Sequence, residues 1–237
     1  MTNLFAEPPN LGELKISLSN ESIYCVADLH LEVQRPDEIV AFANEVLDQR
    51  GKSTVFLILG DLFNVYVGLE DLRNKIYAPL WEAFESFSER GRVILLRGNR
   101  DVLLEPKDAL VFSFEVADFL LHDKAGSRAL YVHGDAYCVD DISYQRLRRL
   151  LRNKCLRLFL RFLPSWLRGA LGRRMRKVSA VEKRYKEPLS MAFSEPSMLA
   201  SLKFYECDNL VVGHVHVEQE RQLSDTNYLK VLPAWTP

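Results

Sequence analysis

The stretch Thr54-Val55-Phe56-Leu57-Ile58-Leu59-Gly60-Asp61 decides the fold, because it joins a short buried strand directly to a carboxylate. The residues before Gly60 are apolar or small, and they predict a strand that lies inside a sheet. Four other strand-like runs also end in residues that can bind metals. These ends are Asp28-Leu29-His30, Gly98-Asn99-Arg100-Asp101, His133-Gly134-Asp135 and Gly213-His214-Val215-His216. We therefore expect Asp61 to bridge two metal ions, with the other four motifs supplying the remaining ligands.

The composition is that of an ordinary soluble α/β protein. The chain has 237 residues, of which 48% are hydrophobic and 27% charged, so residues 1–237 can form one domain with a full core. Its four cysteines are scattered without a close pair, which predicts a reducing compartment. The first ten residues lack the pattern of a signal peptide, and no run of about 18 uncharged apolar residues occurs. These features predict a cytoplasmic protein.

Strands and helices alternate along most of the chain. This alternation predicts a largely parallel or mixed sheet covered by helices. The predicted strands are an edge strand at Leu14–Leu18, then Ser22–Ala27, Thr54–Leu59, Val93–Leu96, Arg128–Val132 and Leu210–Val212. The predicted helices are Pro36–Gln49, Glu70–Glu89 and Pro196–Tyr205. Loose alternation over Leu110–Leu121 predicts a hairpin before His133, and a second hairpin is expected from Val217–Leu223 and Tyr228–Leu232.

The residues at the strand ends favour a metal site over isolated structural roles. In open α/β sheets the functional crevice lies at the carboxyl ends of the strands. Asp, Asn and His together provide a mixed nitrogen and oxygen site for Mn, Fe, Zn or Mg. A single histidine would more often be a core or surface residue, but four of the five histidines lie in these loops. Only His122 falls elsewhere, and we assign it no role.

The five motifs, in this order, resemble those of the calcineurin-like metallophosphoesterases, over about residues 22–218. The resemblance implies an α/β fold, a four-layer α-β-β-α sandwich, and two divalent metal ions. It implies that one ion is held by Asp28, His30, Asp61 and His216, and the other by Asp61, Asn99, His133 and His214.

Two ions about 3.5–4 Å apart would clamp a phosphoryl group and activate water to attack phosphorus. Arg100 follows the expected ligand Asn99 and could bind a phosphate with two hydrogen bonds, with a structural salt bridge as an equal alternative. Asp101 and Asp135 are expected to orient ligands or loops from behind the metal ligands.

Residues 142–187 interrupt the α/β pattern and predict a basic, amphipathic helical lid inserted in the domain. Between residues 146 and 186 there are 15 of the 31 Lys and Arg residues and one acid, Glu182. The apolar residues are spaced for a pair of helices that pack a stripe on the core. So many cations exceed what solubility requires, and they favour docking on an anionic membrane surface. RNA is the competing partner, but aromatic stacking platforms are not evident, so no nucleic acid is expected.

A closer resemblance, to UDP-2,3-diacylglucosamine diphosphatases, rests on the second half of the chain. It is carried by Gly98-Asn99-Arg100-Asp101, His133-Gly134-Asp135, Cys138, Asp140, Asp141, Tyr144, Gln145, Phe159, Leu160, Leu163 and Pro164. It implies a metal-dependent hydrolase, with manganese as the usual metal, that cleaves the diphosphate of UDP-2,3-diacylglucosamine to UMP and 2,3-diacylglucosamine 1-phosphate. It also implies a peripheral location on the inner face of the inner membrane. The implied substrate contacts are Asn99, Arg100, Asp141, Tyr144, Ser179, Lys183, Lys186 and His214.

Two departures from that pattern leave substrate identity open. Lys183 stands where an asparagine is usual, and Val217-Glu218 stand where Arg-Pro is usual. A phosphodiesterase or phosphatase acting on another nucleotide or lipid phosphate is therefore the alternative. A non-catalytic scaffold is a third possibility, and it would be favoured only if ligands were missing, whereas all seven are present.

Overall fold

The computed structural model describes residues 7–164, 166–172 and 193–237. Two sheets form its centre. The strands are β1 (Lys15–Ser19), β2 (Ile23–Val26), β3 (Val55–Ile58), β4 (Arg92–Leu96), β5 (Glu115–Ala117), β6 (Phe119–Lys124), β7 (Ser127–Val132), β8 (Asn209–Val212), β9 (Gln219–Gln222) and β10 (Tyr228–Val231). One sheet is entirely parallel, in the order β2-β3-β4-β5, and the other is mixed, in the order β1-β6-β7-β8-β10-β9.

Eight α-helices belong to the described part of the chain. They are α1 (Pro36–Asp48), α2 (Leu69–Leu72), α3 (Ala78–Ser88), α4 (Pro106–Ala109), α5 (Ile142–Leu151), α6 (Lys154–Phe162), α7 (166–172) and α8 (Glu195–Tyr205). Helices α1 and α3 lie on the parallel sheet, and α8 lies on the mixed sheet.

The layering follows from the alternation of side chains along each strand. In β3, Phe56 and Ile58 face α1 and α3, whereas Val55 and Leu57 face the other sheet. Both sides of β3 are buried, as its continuous apolar sequence predicts for a strand covered on two faces. Helix, sheet, sheet and helix thus form the expected four-layer α-β-β-α sandwich.

The predicted helix Glu70–Glu89 is divided in the structure. Helix α2 ends at Leu72, a 3₁₀ turn covers Lys75–Tyr77, and α3 begins at Ala78. The side chain of Asn74 accepts a hydrogen bond from the Ile76 amide at 3.2 Å, which starts a new helical segment. The prediction missed this cap because the apolar spacing continues through it.

The predictions for the remaining strands are largely confirmed. Strand β1 is an edge strand, β6 and β7 form the hairpin before His133, and β9 and β10 form the terminal hairpin. The run Leu110–Leu121 is not one strand, because it begins as a 3₁₀ turn and then divides between β5 and β6 in different sheets.

Within the region predicted as a helical lid, residues 142–164 and 166–172 belong to the described part of the chain. The first predicted helix of the pair is in fact two helices, because Asn153 caps α6 by accepting from the Leu156 amide at 3.1 Å. Leu160 is buried, whereas Leu158, Phe159 and Phe162 are 58%, 59% and 81% exposed. The expected packing of the apolar stripe on the core is therefore wrong for α6. None of the helices in the described residues is long and apolar enough to cross a membrane.

Candidate metal centre

The loops after five strands bring the seven predicted metal ligands together. Strands β2, β3 and β4 are parallel, so their carboxyl ends, and the loops that follow them, share one edge of the sheet. Asp28 Oδ1 lies 3.6 Å from His216 Nε2, and His30 Nε2 lies 3.3 Å from the same His216 atom. Three of the four members of the first predicted ligand group are therefore assembled from the ends of β2 and β8, and the fourth, Asp61, follows β3.

Asp61 lies between the two predicted ligand groups. Its Oδ2 atom is 3.9 Å from His30 Nδ1, and its Oδ1 atom is 3.7 Å from His133 Nε2. Beyond it, His133 Nε2 is 3.1 Å from His214 Nδ1 and 3.1 Å from the side-chain amide of Asn99. The two oxygens of one carboxylate thus face different sets of nitrogens.

The ligands occupy an uncommon backbone conformation. Five of them have φ in the left-handed region: Asp28 (56°), His30 (51°), Asp61 (55°), His214 (73°) and His216 (59°). Such values cost side-chain-bearing residues about 1–2 kcal/mol each, and in proteins they cluster at functional sites. The strain turns each side chain inward immediately after its strand, so that several ligands can meet in a small volume.

Two glycines are required because the centre is crowded. A Cβ added at Gly98 would lie 2.6 Å from the backbone nitrogen of Asp61. One added at Gly213 would lie 2.6 Å from Asp28 Oδ2. Both distances are below any real Cβ contact, so these loops can approach the carboxylates only without a side chain.

The side chains fit divalent cations. The ligand atoms of Asp28, His30 and His216 lie within 4.8 Å of one another, and so do those of Asp28, Asp61 and His133. Asp28 Oδ1 and His30 Nδ1 are buried and have no hydrogen-bond partner among the described residues. A cation would satisfy both atoms, and the mixed histidine and carboxylate set suits Mn, Fe or Zn.

The electrostatics of the cluster also favour cations. Burial raises the pKa of Asp61, the charge of His133 lowers it, and the charges of Asp101 and Asp28 raise it further. Three buried carboxylates therefore lie close together in the cluster. Burial lowers the pKa of His30 to about 4 and that of His214 to about 3. Both imidazoles are therefore neutral at pH 7, which is the form that binds metals.

Hydrogen bonds from neighbouring groups orient the ligands. His133 Nδ1 donates to the Leu59 carbonyl at 2.7 Å, which leaves Nε2 free to face the cluster. Asp101 accepts from the amides of Gly98 at 2.7 Å and Leu62 at 2.9 Å, and so ties the loop after β4 to the loop after β3. The expected orienting position of Asp101 matches these contacts.

Asp135 joins the cluster to α5. It accepts from the Tyr144 hydroxyl at 2.6 Å and from Arg148 Nε at 2.8 Å. Burial alone would raise the pKa of Asp135, but the charges of Arg148 and Arg152 hold it well below its usual range. Sequence reasoning missed Arg148, because nothing in its spacing separates it from the many other arginines nearby.

Four of the predicted substrate contacts, Asn99, Arg100, Tyr144 and His214, lie in or beside the cluster. Arg100 Nε is 4.0 Å from Asp61 Oδ2, and the Tyr144 ring stacks on His214 with centroids 6.2 Å apart. Asp141 instead caps α5 by accepting from the Tyr144 amide at 3.0 Å. Ser179, Lys183 and Lys186 lie outside the described residues.

An apolar cavity of about 130 Å³ opens next to these contacts. Asn99, Arg100 and Tyr144 line it, together with the charged side chains of Asp135, Arg148, Arg152 and Arg168. Its apolar wall is formed by Val65, Val67, Val102, Leu103, Leu147, Leu151, Leu160 and Leu171. The cavity therefore combines the predicted ligand Asn99 and several charged groups with a set of apolar side chains.

Two sheets between helices, with a cluster of histidine, aspartate and asparagine at the strand ends, define the class of metal-dependent phosphoesterases. The model of the calcineurin-like phosphoesterase family matches residues 22–218, and the chain belongs to that family.

Curated relatives are similar over most of their length. A UDP-2,3-diacylglucosamine hydrolase of Stutzerimonas stutzeri (strain A1501) is 33% identical over 200 residues, covering 82% of this chain and 81% of that protein. One of Aeromonas salmonicida (strain A449) is 34% identical over 194 residues, covering 81% of this chain and 76% of that protein. Among solved structures, a dimetal phosphatase of Danio rerio is 10% identical with a TM-score of 0.47, covering 90% of this chain and 87% of that chain.

Proposed function

We propose that the protein is a metal-dependent hydrolase that cleaves the diphosphate of UDP-2,3-diacylglucosamine to UMP and 2,3-diacylglucosamine 1-phosphate. The observation that carries this proposal is the mainly apolar cavity that Asn99 and Arg100, from the loop of the predicted metal centre, also line. A substrate with a diphosphate and acyl chains needs both features side by side. The relatives from Stutzerimonas stutzeri and Aeromonas salmonicida, both UDP-2,3-diacylglucosamine hydrolases, support the same substrate.

The ligand assignment gives each metal four side chains. Asp28, His30, Asp61 and His216 would hold one ion, and Asp61, Asn99, His133 and His214 the other, with manganese as the proposed metal. When bound, two such ions polarise phosphoryl oxygens and make water nucleophilic near neutral pH. The position of Asp61, with one oxygen 3.9 Å from His30 and the other 3.7 Å from His133, supports its bridging role.

The chain's own residues would bind and orient the substrate. Arg100 carries a partly exposed guanidinium whose charge suits the oxygens of the attacked phosphate. The Tyr144 hydroxyl is engaged by Asp135, so its ring is the part that remains to contact substrate. Asn99 and His214 would serve both metal and substrate, while Asp141, Ser179, Lys183 and Lys186 complete the proposed contacts.

A hydrolase for another nucleotide or lipid phosphate is the second candidate. Two features favour it: Lys183 replaces the usual asparagine, and Val217-Glu218 replace the usual Arg-Pro. Val217 is exposed and follows the predicted ligand His216 in the chain. A different side chain at this position could change which substrates reach the metal centre.

Peripheral binding to the inner face of the inner membrane, from the cytoplasm, is also proposed. Residues 146–186 would form the contact, with no role for nucleic acid. In the described part of this segment, Phe159, Phe162 and Trp166 are exposed among cations. Apolar side chains flanked by Lys and Arg are typical of helices that lie in the surface of an anionic bilayer.

The test is release of UMP from UDP-2,3-diacylglucosamine by the purified protein with added manganese, with the same protein treated with a chelator as control. We expect release that is lost on chelation and restored by manganese. Absence of UMP together with metal-dependent cleavage of an aryl phosphate or another nucleotide diphosphate would replace the leading proposal with the second candidate.

A further inference from the structure

A second cleft, separate from the predicted metal ligands, lies against α5 and α6. Its volume is about 710 Å³, within the range of about 300–1,000 Å³ typical of ligand sites, and none of the seven ligands lines it. The N-terminal segment 10–14 and residues 105–107, at the start of α4, also line it. The basic residues that line it are Arg97, Lys107, Arg148, Arg149, Arg152, Lys154, Arg157 and Arg161.

The cleft has more positive charge than nearby carboxylates neutralise. Asp118 is shared, since its Oδ1 lies 3.3 Å from Arg97 Nε and 3.0 Å from Arg152 Nη1. The four remaining pairs are Arg148 with Asp135, Lys154 with Glu13, Arg157 with Glu105, and Arg161 with Asp108. Eight cations thus face five carboxylates, and the excess is positive.

Two of these arginines are buried and only partly satisfied. Arg97 is 1% exposed, and its Nε has no hydrogen-bond partner among the described residues. Arg148 is 5% exposed, and its Nη2 likewise has none there. Both guanidinium groups are paired with carboxylates, Arg97 with Asp118 and Arg148 with Asp135, so one N–H group of each is left without an acceptor among the described residues. A buried donor without an acceptor is costly, and an anion in the cleft could accept from these groups. The cleft therefore has buried donors in addition to its surface cations.

Two further cations mark the exposed side of the cleft. Lys107 and Arg149 are exposed, and no ion pair joins either to a carboxylate of the described residues. Arg149 instead donates to the carbonyl of Gln145 at 3.3 Å. These two charges are free to meet an anion that enters from outside.

The surroundings of the cleft indicate the source of that anion. Leu158 lines the cleft and is largely exposed, and Phe159 and Phe162 are exposed on the same helix. A phosphate attached to lipid chains would match a basic cleft with an apolar surface beside it. A nucleic acid fits less well, because none of the described residues that line the cleft has an aromatic side chain for base stacking.

We infer that this cleft binds the phosphate of an anionic phospholipid headgroup while exposed apolar side chains of α6 enter the bilayer surface. The inference rests on the membrane association in the proposed function, and it adds a defined headgroup site distinct from the metal centre.

The test compares two pairs of substitutions in the full chain. Lys107→Gln with Arg149→Gln removes the two exposed charges of the cleft, and Lys52→Gln with Lys124→Gln removes two exposed charges that do not line it. Binding is measured to phosphatidylcholine vesicles with and without phosphatidylglycerol. At about 1 kcal/mol per cation, we expect the cleft pair to weaken binding to the anionic vesicles roughly 30-fold. We expect the control pair to bind like the unaltered protein.

The inference would be overturned if both double variants lost vesicle binding equally, or if the cleft double variant lost none. Inorganic phosphate is tested separately by its effect on the melting temperature. If phosphate stabilises the protein through Lys107 and Arg149 but vesicle binding is unaffected by their loss, the ligand is a soluble phosphate and the lipid assignment is wrong. Tighter binding of a single-stranded RNA than of anionic vesicles would also overturn it.

UMP release from detergent-dispersed substrate separates this inference from the proposed function. The cleft pair should retain that activity, because neither Lys107 nor Arg149 belongs to the proposed catalytic site. Selective loss of vesicle binding in a protein that releases no UMP would refute the proposed substrate and leave the headgroup site standing.

Discussion

Replacing Arg148 by methionine should destabilise the protein through the buried carboxylate of Asp135. Both side chains are almost inaccessible, and Arg148 Nε donates to Asp135 Oδ2 at 2.8 Å. Arg148 Nη1 also donates to the carbonyl of Asn10 at 2.9 Å. Removing one partner of a buried ion pair costs about 3–5 kcal/mol, because the other charge stays buried without compensation. Since the Tyr144 hydroxyl still donates to Asp135, we expect about 3 kcal/mol.

The assay is urea denaturation in the presence of a chelator, since bound metal would add its own stabilisation. Arg149→Met is the matched control, because Arg149 is an exposed neighbour on the same helix and its loss should cost at most about 0.5 kcal/mol. The double variant Arg148→Met with Asp135→Asn should recover a large part of the loss, because it removes both charges. Additive losses in the double variant, or a loss in Arg148→Met no larger than in the control, would refute the reasoning.

The pH dependence of the loss gives a second check. In the unaltered protein the pKa of Asp135 is held below its usual range, so its contribution is complete above about pH 4 and is lost only as the pH falls through the folded-state pKa. Without Arg148, the pKa of Asp135 should rise from this depressed value, because burial raises it and, among the described residues, Arg152 is the one arginine left to lower it. The difference in stability between the two proteins should therefore shrink as the pH falls through the raised pKa of the variant.

Three further predictions concern the metal centre and the C-terminal segment. Asp61→Ala should abolish activity and lower metal occupancy at both positions, whereas Asp28→Ala should chiefly lower it at one. Metal content is measured by elemental analysis. Equal content in Asp61→Ala and the unaltered protein would rule out the bridging role. Gly98→Ala should lose metal, because its Cβ would lie 2.6 Å from the backbone nitrogen of Asp61. Gly126→Ala is the control, since there is open space around the added Cβ. It should keep metal despite a backbone strain of about 1 kcal/mol. Trp235→Ala should cost about 2 kcal/mol in urea denaturation, since the half-buried indole packs on the core, and a cost below about 0.5 kcal/mol would show that this packing is unimportant.

The strand ends could be predicted from the sequence because their signals are local. An apolar run shows the strand, glycine shows the turn, and the next polar residue shows the ligand, as in Gly60-Asp61. Parallel pairing of the strands then brings these ends together without further information. The left-handed conformation of Asp28, His30 and His216 gave no such signal, because it is imposed by the crowded centre and not by the residues themselves.

The orientation of α6 could not be predicted, because helical spacing shows which residues share a face but not which face meets the protein. In the structure, ion pairs fix which face of α6 meets the protein. Arg161 lies 3.1 Å from Asp108, and Arg157 lies 3.7 Å from Glu105, so the arginine face of α6 packs on the segment around α4. The apolar residues Phe159 and Phe162 are left outside as a result. Those acids are about fifty residues away in the chain, and no local pattern connects them to the helix.

The motif His133-Gly134-Asp135 serves two structures at once. His133 points into the predicted metal cluster, and two residues later Asp135 holds Arg148 and Tyr144 of α5. Any displacement of α5 must either break these bonds in a buried place or pull the loop that carries His133. The position of α5 and the geometry of the cluster are therefore coupled through the carboxylate of Asp135. On this argument Arg148→Met should weaken metal binding as well as stability, although Arg148 does not itself belong to the ligand set.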